Sequence, residues 1–400
     1  MFKLTVAVLF LSFSGLALAQ QAAPIRIGVI GPFSGKSSTE MGESIRGGAR
    51  VFAEEVNRLG GVLGRNIELV ERDDQASPDV GVKMARELIE KERVVAVVGF
   101  ANIGVATKVA PLFQQARVPL IVSAADGGEI TRMPEQAMGT QNFIFRLAGR
   151  DLLQTQAMVK DVVERRKITS IAVLHEVSPY GESGKANLLK VLEGQGLKPA
   201  LIDSFKLGDQ DMSAQLARAK EAGAKAVLVY GQASEAAAIA RGTTKMKWAV
   251  PLVGTWTMSQ QAFIEQAGPA GEGARAAVTF IEDERRGARY EFGAAYRRIN
   301  KVTTIPSAVA AAQTYDALRL IFLAIYQANG ATGERIQHAL ESLDTQSRST
   351  VVARFSRPFA YDDHEAISDF QVIMAEVRNQ KLAYAYPGDE ASSQMTRIRR

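Results

Sequence analysis

Not one cysteine occurs in the 400 residues, so no disulfide can brace the chain and its stability must come from a hydrophobic core. Histidine is almost as scarce. His175, His338 and His364 lie far apart, and neither H-E-x-x-H nor G-x-S-x-G occurs, so the usual zinc-hydrolase and serine-hydrolase patterns are missing. The net charge is only +5, and no Lys/Arg run is longer than three residues, the terminal Arg397, Arg399 and Arg400 included. A nucleic-acid reader would carry a dense basic stripe, so no nucleic-acid partner is expected. The N-terminal apolar stretch is too short to cross a bilayer, which takes roughly 20 residues. It does have another meaning. Lys3, the run Leu4 to Phe13 and then Leu16-Ala17-Leu18-Ala19 form a positive start, an apolar centre and a small-residue cleavage site, so residues 1–19 read as an export signal. No cysteine follows that site, which excludes a lipid-anchored form. A soluble exported protein is expected, beginning near Gln20 or Gln21.

Removing the signal leaves roughly 380 residues, too many for one core and comfortable for two. With 46% hydrophobic and 23% charged residues, the composition is that of an ordinary globular protein. From Pro24 onward, short β-branched runs alternate with amphipathic ones. Ile25–Gly31 reads as a buried strand. The helix predicted over 40–59 places Met41, Ile45, Ala49, Phe52 and Val56 at helical spacing and stops at Gly60-Gly61. Strand 67–71, helix 79–91, strand 94–99, helix 104–116 and strand 118–123 follow. A second series begins after Phe143–Leu147: helix 151–166, strand 169–174, helix 182–194, strand 200–205, helix 212–222, strand 225–230, helix 234–246 and strands 251–254 and 276–281. Helices near 288–300, 306–328 and 333–343 come next, then shorter strand-like segments. Strict βα alternation implies parallel sheets with helices on both faces, and two series of similar size imply two lobes. A solute would sit between them, beyond the carboxyl ends of the strands.

The loop Gly31-Pro32-Phe33-Ser34-Gly35-Lys36-Ser37 resembles a phosphate loop but has three residues, not four, between Gly31 and Gly35, and no G-x-G-x-x-G occurs. No nucleotide, metal or other cofactor is therefore expected. A tight turn offering backbone N–H groups and the Ser34 hydroxyl at a helix start suits a carboxylate equally well. Asp73-Asp74 and Asp362-Asp363 sit among turn residues, where acceptors for turn N–H groups are needed.

Several segments, taken in order, resemble a known family: Ile27-Gly-Val-Ile-Gly-Pro-Phe-Ser-Gly35, Asn57-Arg-Leu-Gly-Gly-Val-Leu-Gly64, Glu71-Arg-Asp-Asp74, Val97-Val-Gly99, Val118-Pro-Leu-Ile-Val-Ser123, Pro179-Tyr-Gly-Glu182 and Thr314-Tyr-Asp-Ala317. Together they look like the branched-chain (leucine/isoleucine/valine) amino-acid type of periplasmic binding protein, over about residues 25 to 388. The resemblance implies an α/β fold of two Rossmann-like, doubly wound lobes joined by three hinge crossovers. It divides the chain into a first lobe, 25–145 with 279–362, and a second, 146–278 with 363–400. It also implies a non-enzymatic, periplasmic, monomeric component of an ABC importer. Such a component closes on a branched-chain amino acid or related small carboxylate and delivers it to a membrane permease. A binder of aromatic or other organic acids, or a ligand-sensing module, is the alternative on the same fold.

In the family, three loops of the first lobe hold the amino acid's carboxylate and ammonium. Here those loops are Ser34–Met41, Phe100–Gly104 and Ser123–Gly127. They nominate Ser34, Met41, Asn102, Ile103, Ser123, Ala125, Asp126 and Gly127, with Tyr180 and Trp256 from the second lobe. The chain departs from the family at Asn102-Ile103-Gly104 and at Ala125-Asp126-Gly127. The family's ammonium-binding glutamate after strand 251–254 is replaced near Trp256. An indole offers a donor and an aromatic face but no acceptor for an ammonium. Trp256 is therefore either a wall of the pocket or a packing residue between lobes, and Asp126 is a candidate for the lost acid.

Overall fold

The computed structural model describes residues 23–35, 37–128, 130–132, 141–283, 287–343 and 350–396. The segment read as an export signal, 1–19, and Arg397, Arg399 and Arg400 lie outside the described residues. The first apolar run becomes β1 (Ile25–Gly31), buried at every position but Arg26, as a parallel strand covered on both faces must be. It is followed by α1 (Thr39–Arg58), β2 (Ile67–Asp73), α2 (Pro78–Arg86), β3 (Ala96–Gly99), α3 (Ile103–Ala116), β4 (Leu120–Val122) and β5 (Ile144–Arg146). The strands form a parallel sheet in the order β2-β1-β3-β4-β5. Ile27 stands between Leu69 of β2 and Ala96 of β3. The winding direction reverses between β1 and β3, and a reversal of that kind opens a crevice at the strands' carboxyl ends.

The second series is α4 (Asp151–Val159), β6 (Ile171–Glu176), α5 (Pro179–Gly194), β7 (Leu201–Phe205), α6 (Ser213–Glu221), β8 (Ala226–Tyr230), α7 (Ala233–Lys245), β9 (Leu252–Gly254), α8 (Gln261–Ala267) and β10 (Arg275–Val278). The order β7-β6-β8-β9-β10 repeats that of the first sheet. The chain then returns through α9 (Ala288–Asn300), α10 (Ala308–Ala328) and α11 (Gly333–Glu341), and ends in β11 (Ile373–Arg378), β12 (Lys381–Tyr384) and α12 (Asp389–Ser393). β11 and β12 add antiparallel strands beside β10, so the second sheet is not wholly parallel as strict alternation implied.

Between the two series, the long helix α10 packs on α1 of the first sheet. It can do so because Gly48 carries no side chain: a Cβ there would lie 2.2 Å from the Ala311 carbonyl oxygen. Phe52 meets Tyr315 and Phe322 edge-on in the same seam. One face of the first sheet buries its own cluster, with Ile30, Val97, Phe113 and Ile144 among its members. The cluster on the other face runs on into the core of the second sheet, so no flexible linker separates the two halves. The chain passes between the sheets three times: after β5, after β10, and after the stretch around Glu365. That stretch lies beside β5, with Arg146 N–H donating to His364 O and Ala366 N–H to Arg146 O.

Candidate functional site

The strand ends of both sheets converge on one cavity of about 110 Å³. From the first sheet come Ser37, Ser38 and Met41 after β1, Ala101 to Gly104 after β3, and Asp126 after β4. From the second come Glu176 at the end of β6 with Ser178, Pro179 and Tyr180 after it, Leu207 after β7, Gln232 after β8, and Trp256 and Thr257 after β9.

Glycines let the helix starts press against the strand ends. A Cβ on Gly42 would lie 2.0 Å from Pro32 O, and one on Gly181 would lie 2.0 Å from Glu176 O. The N-termini of α1, α3 and α5 consequently border the cavity, and their N–H groups and dipoles favour an anion. α3 is capped by Asn102, whose Oδ1 accepts from Gly104 N–H at 3.0 Å and Val105 N–H at 3.3 Å. α1 starts at Ser38, in the left-handed region at φ 58°, with no side-chain cap on its first turn. Phe100, the residue between β3 and this loop, is also held at φ 63° with its ring fully buried. Strained backbone of this kind clusters at ligand sites.

Two buried carboxyls bring acceptors to the cavity. Asp126 is buried, and its Oδ2 accepts from Trp256 Nε1–H at 2.8 Å and Gln154 Nε2–H at 2.6 Å. Gln154 returns its Oε1 to the Trp256 backbone N–H at 3.1 Å. Burial, and secondarily the nearby Asp151 charge, pushes the Asp126 carboxyl up to about 7 despite those two donors. Burial likewise raises Glu176, whose Oε2 accepts from Gln232 N–H at 3.0 Å and whose Oε1 accepts from the Ser178 hydroxyl.

The third polar wall is a chain of hydroxyls with a fixed direction. Thr257 Oγ1 donates its one proton to Gly231 O at 2.7 Å, so Thr255, 2.9 Å away, must donate to Thr257. Tyr180, 2.9 Å from Thr255 Oγ1, must then donate to Thr255. The phenol oxygen of Tyr180 is left as an acceptor. Its ring lies against Tyr230, with centroids 4.7 Å apart.

Six of the residues nominated from sequence meet here: Met41, Asn102, Ile103, Asp126, Tyr180 and Trp256. The two roles weighed for Trp256 coincide, since it walls the cavity and bonds across it to Asp126. The other four do not line the cavity. Ser34 is held outside by Asp73, which accepts its hydroxyl at 2.5 Å as part of the turn. Ser123 faces the opposite way and lies 2.8 Å from the Thr314 hydroxyl of α10. Ala125 is buried behind the loop, its N–H on Phe100 O. Gly127 is buried and turns its carbonyl to Arg146.

Sequence reasoning missed Glu176, Ser178, Gln232 and Thr257. The available signal was Glu176 itself, an acid closing a strand just before Ser178-Pro179. Asp73 and Asp74 do serve turns. Asp73 Oδ1 accepts from Phe33, Ser34 and Gln75 N–H groups, and Asp74 Oδ1 accepts from Ala76 N–H.

Comparison with known proteins places this geometry in context. A family model described as "Periplasmic binding protein" matches residues 24–381. A Leu/Ile/Val-binding protein homolog from Brucella melitensis is 32% identical over 240 residues, 60% of this chain and 62% of that protein, which is under two thirds of its length. A leucine-, isoleucine-, valine-, threonine- and alanine-binding protein from Pseudomonas aeruginosa is 28% identical over 342 residues, covering 85% of this chain and 87% of the relative. Among solved structures, an ABC-transporter solute-binding protein of Rhodopseudomonas palustris in complex with 4-hydroxybenzoate has the same fold. Its TM-score is 0.76 at 22% identity, over 90% of this chain and 95% of that one.

Proposed function

The chain belongs to the periplasmic binding protein family, and we propose that it is the solute-binding component of an ABC importer that takes a branched-chain amino acid or a close analogue into the cleft. The family is one of solute-binding proteins, and we read this chain as a binder without catalytic chemistry. One observation carries the choice of ligand. Asp126, Glu176 and the phenol oxygen of Tyr180 present acceptors to the same cavity that three helix N-termini border. An α-ammonium needs acceptors or a paired carboxylate when buried, and an α-carboxylate suits helix N–H groups. An amino acid satisfies both at once. The relatives from Brucella melitensis and Pseudomonas aeruginosa, named for leucine, isoleucine and valine binding, support the reading.

A second reading, an aromatic carboxylate, is favoured by the wall of Tyr180, backed by the buried Tyr230, and Trp256, and by the relative bound to 4-hydroxybenzoate. A plain acid would bring a second negative charge to Asp126 and Glu176, which weighs against it.

In this proposal residues 1–19 direct export to the periplasm, the mature protein is a monomer, and the closed form hands its solute to a membrane permease. The first lobe comprises 25–145 with 279–362 and the second 146–278 with 363–400, the Glu365 stretch pairing with β5 where the two meet. Isothermal titration of the mature protein with leucine, isoleucine and valine, against benzoate and 4-hydroxybenzoate, tests the reading. Saturation by an aliphatic amino acid supports it. Binding of the benzoates alone replaces it with the second reading, and binding of none of the five defeats both.

A further inference from the structure

Arg146, at the end of β5, is fully buried yet is not one of the residues lining the cavity. Its guanidinium grips the loop that carries Asp126. Nη1 donates to the carbonyls of Asp126 at 3.1 Å and Gly127 at 3.0 Å, and Nη2 donates to the carbonyl of Gly128 at 3.1 Å. The remaining donors go to Glu365, Nε to Oε2 at 2.9 Å and Nη2 to Oε1 at 2.7 Å. Thr131 Oγ1 adds a bond to the same Glu365 Oε1 at 2.6 Å. The planar five-donor fork is used from both ends, a task lysine cannot copy. Arg146 also sits at a junction. The first connection between the sheets begins just after it, and Glu365 lies on the approach to the third.

We propose that Arg146 is a positioning residue for solute recognition: by fixing three successive carbonyls against Glu365 it sets the reach of the Asp126 carboxylate to Trp256 and the solute, and ties that reach to the hinge. The inference rests on the cleft being the solute site. Asp126, Gln154 and Trp256 border a small void together with Gly149 and Thr279, which belong to the connections between the sheets. Contacts beside a pivot move least on opening, so the Asp126–Trp256 bond persists without solute. The groups facing Asp126 are Gln154 and Asp151 on α4, Tyr180 on α5, Tyr230 on β8 and Trp256 after β9.

The test needs no solute. Only two tryptophans occur, Trp248 and Trp256, so in a Trp248→Phe background the emission of Trp256 reports the ionisation of its partner Asp126. In that background the emission should titrate with a midpoint near the value to which burial raises Asp126, about 7. Arg146→Lys keeps the charge but releases the loop carbonyls, and water reaches the carboxyl. The midpoint should fall by about one pH unit or more, a tenfold change in ionisation constant, with a smaller amplitude. Glu365→Gln should shift it the same way by less, and it decides the matter if Arg146→Lys fails to fold. A merely structural role would lower the melting temperature of both variants and leave the Trp256 titration where it was. Unchanged midpoint and amplitude in the folded variants overturn the proposal. Because the readout is taken without solute, that result is distinct from a failure to bind amino acids.

Discussion

Replacing Asp126 by asparagine should move stability and solute affinity in opposite directions. The carboxyl is raised from its ordinary 3.8 to about 7, chiefly by burial. A raised acid is held neutral in the folded protein while the unfolded chain ionises freely. Its stabilising contribution is complete below about pH 4 and is lost as pH rises through 7. The shift of about 3 units corresponds to about 4 kcal/mol above pH 7. Asparagine has nearly the same shape and can offer its carbonyl oxygen to Trp256 Nε1–H and Gln154 Nε2–H, but it carries no charge to desolvate. Neutral hydrogen bonds are weaker than charge-assisted ones, so the net gain at pH 8 should be about 2–4 kcal/mol, shrinking toward zero near pH 4. Urea unfolding of the solute-free protein at pH 5 and pH 8 reads this directly. Parallel stability curves for the two proteins, or a less stable variant at pH 8, would refute the electrostatic account of Asp126. Affinity should go the other way. If Asp126 receives an ammonium, the substitution should weaken binding of leucine, isoleucine or valine by several kcal/mol at pH 8, as loss of one partner of a buried charge pair does. It should leave benzoate binding unchanged or improved.

Other substitutions follow from the same geometry. Trp256→Ala removes an aromatic wall and a donor to Asp126, and titration calorimetry should register about 1–3 kcal/mol of lost affinity. Gly181→Ala would set a methyl 2.0 Å from Glu176 O, so chemical denaturation should show a loss of about 1–3 kcal/mol together with weakened binding as the α5 start is pushed off β6. Asp316 accepts Val351 and Val352 N–H groups on separate oxygens, each at 2.8 Å, whereas asparagine offers one oxygen for two donors. Asp316→Asn should cost about 1–3 kcal/mol with solute affinity intact, because it lies on α10 away from the cavity. Small-angle scattering should show the radius of gyration falling on solute saturation, and an unchanged value would count against hinged closure.

Local pattern was enough to read the architecture. Buried parallel strands must be continuously apolar, covering helices must be amphipathic, and their alternation implied two doubly wound sheets with a cleft at the strand ends. The loops that carry Met41, Asn102, Ile103, Asp126, Tyr180 and Trp256 were nominated by the resemblance to the family, in keeping with the rule that a loop following a strand of such a sheet opens on the cleft. Which side chains within those loops turn inward was decided by tertiary structure. Ser123 and Asp126 are three residues apart, yet one bonds to α10 and the other faces the cavity, because the chain bends between them where Arg146 holds the following carbonyls. The pairing of Asp126 with Trp256 spans 130 residues, and that of Arg146 with Glu365 spans 219. Neither leaves a periodic trace in the sequence. Such contacts arise when two separately patterned sheets close on one another, and that closure brings to one cavity an aspartate and a tryptophan that the sequence presents only as separate candidates.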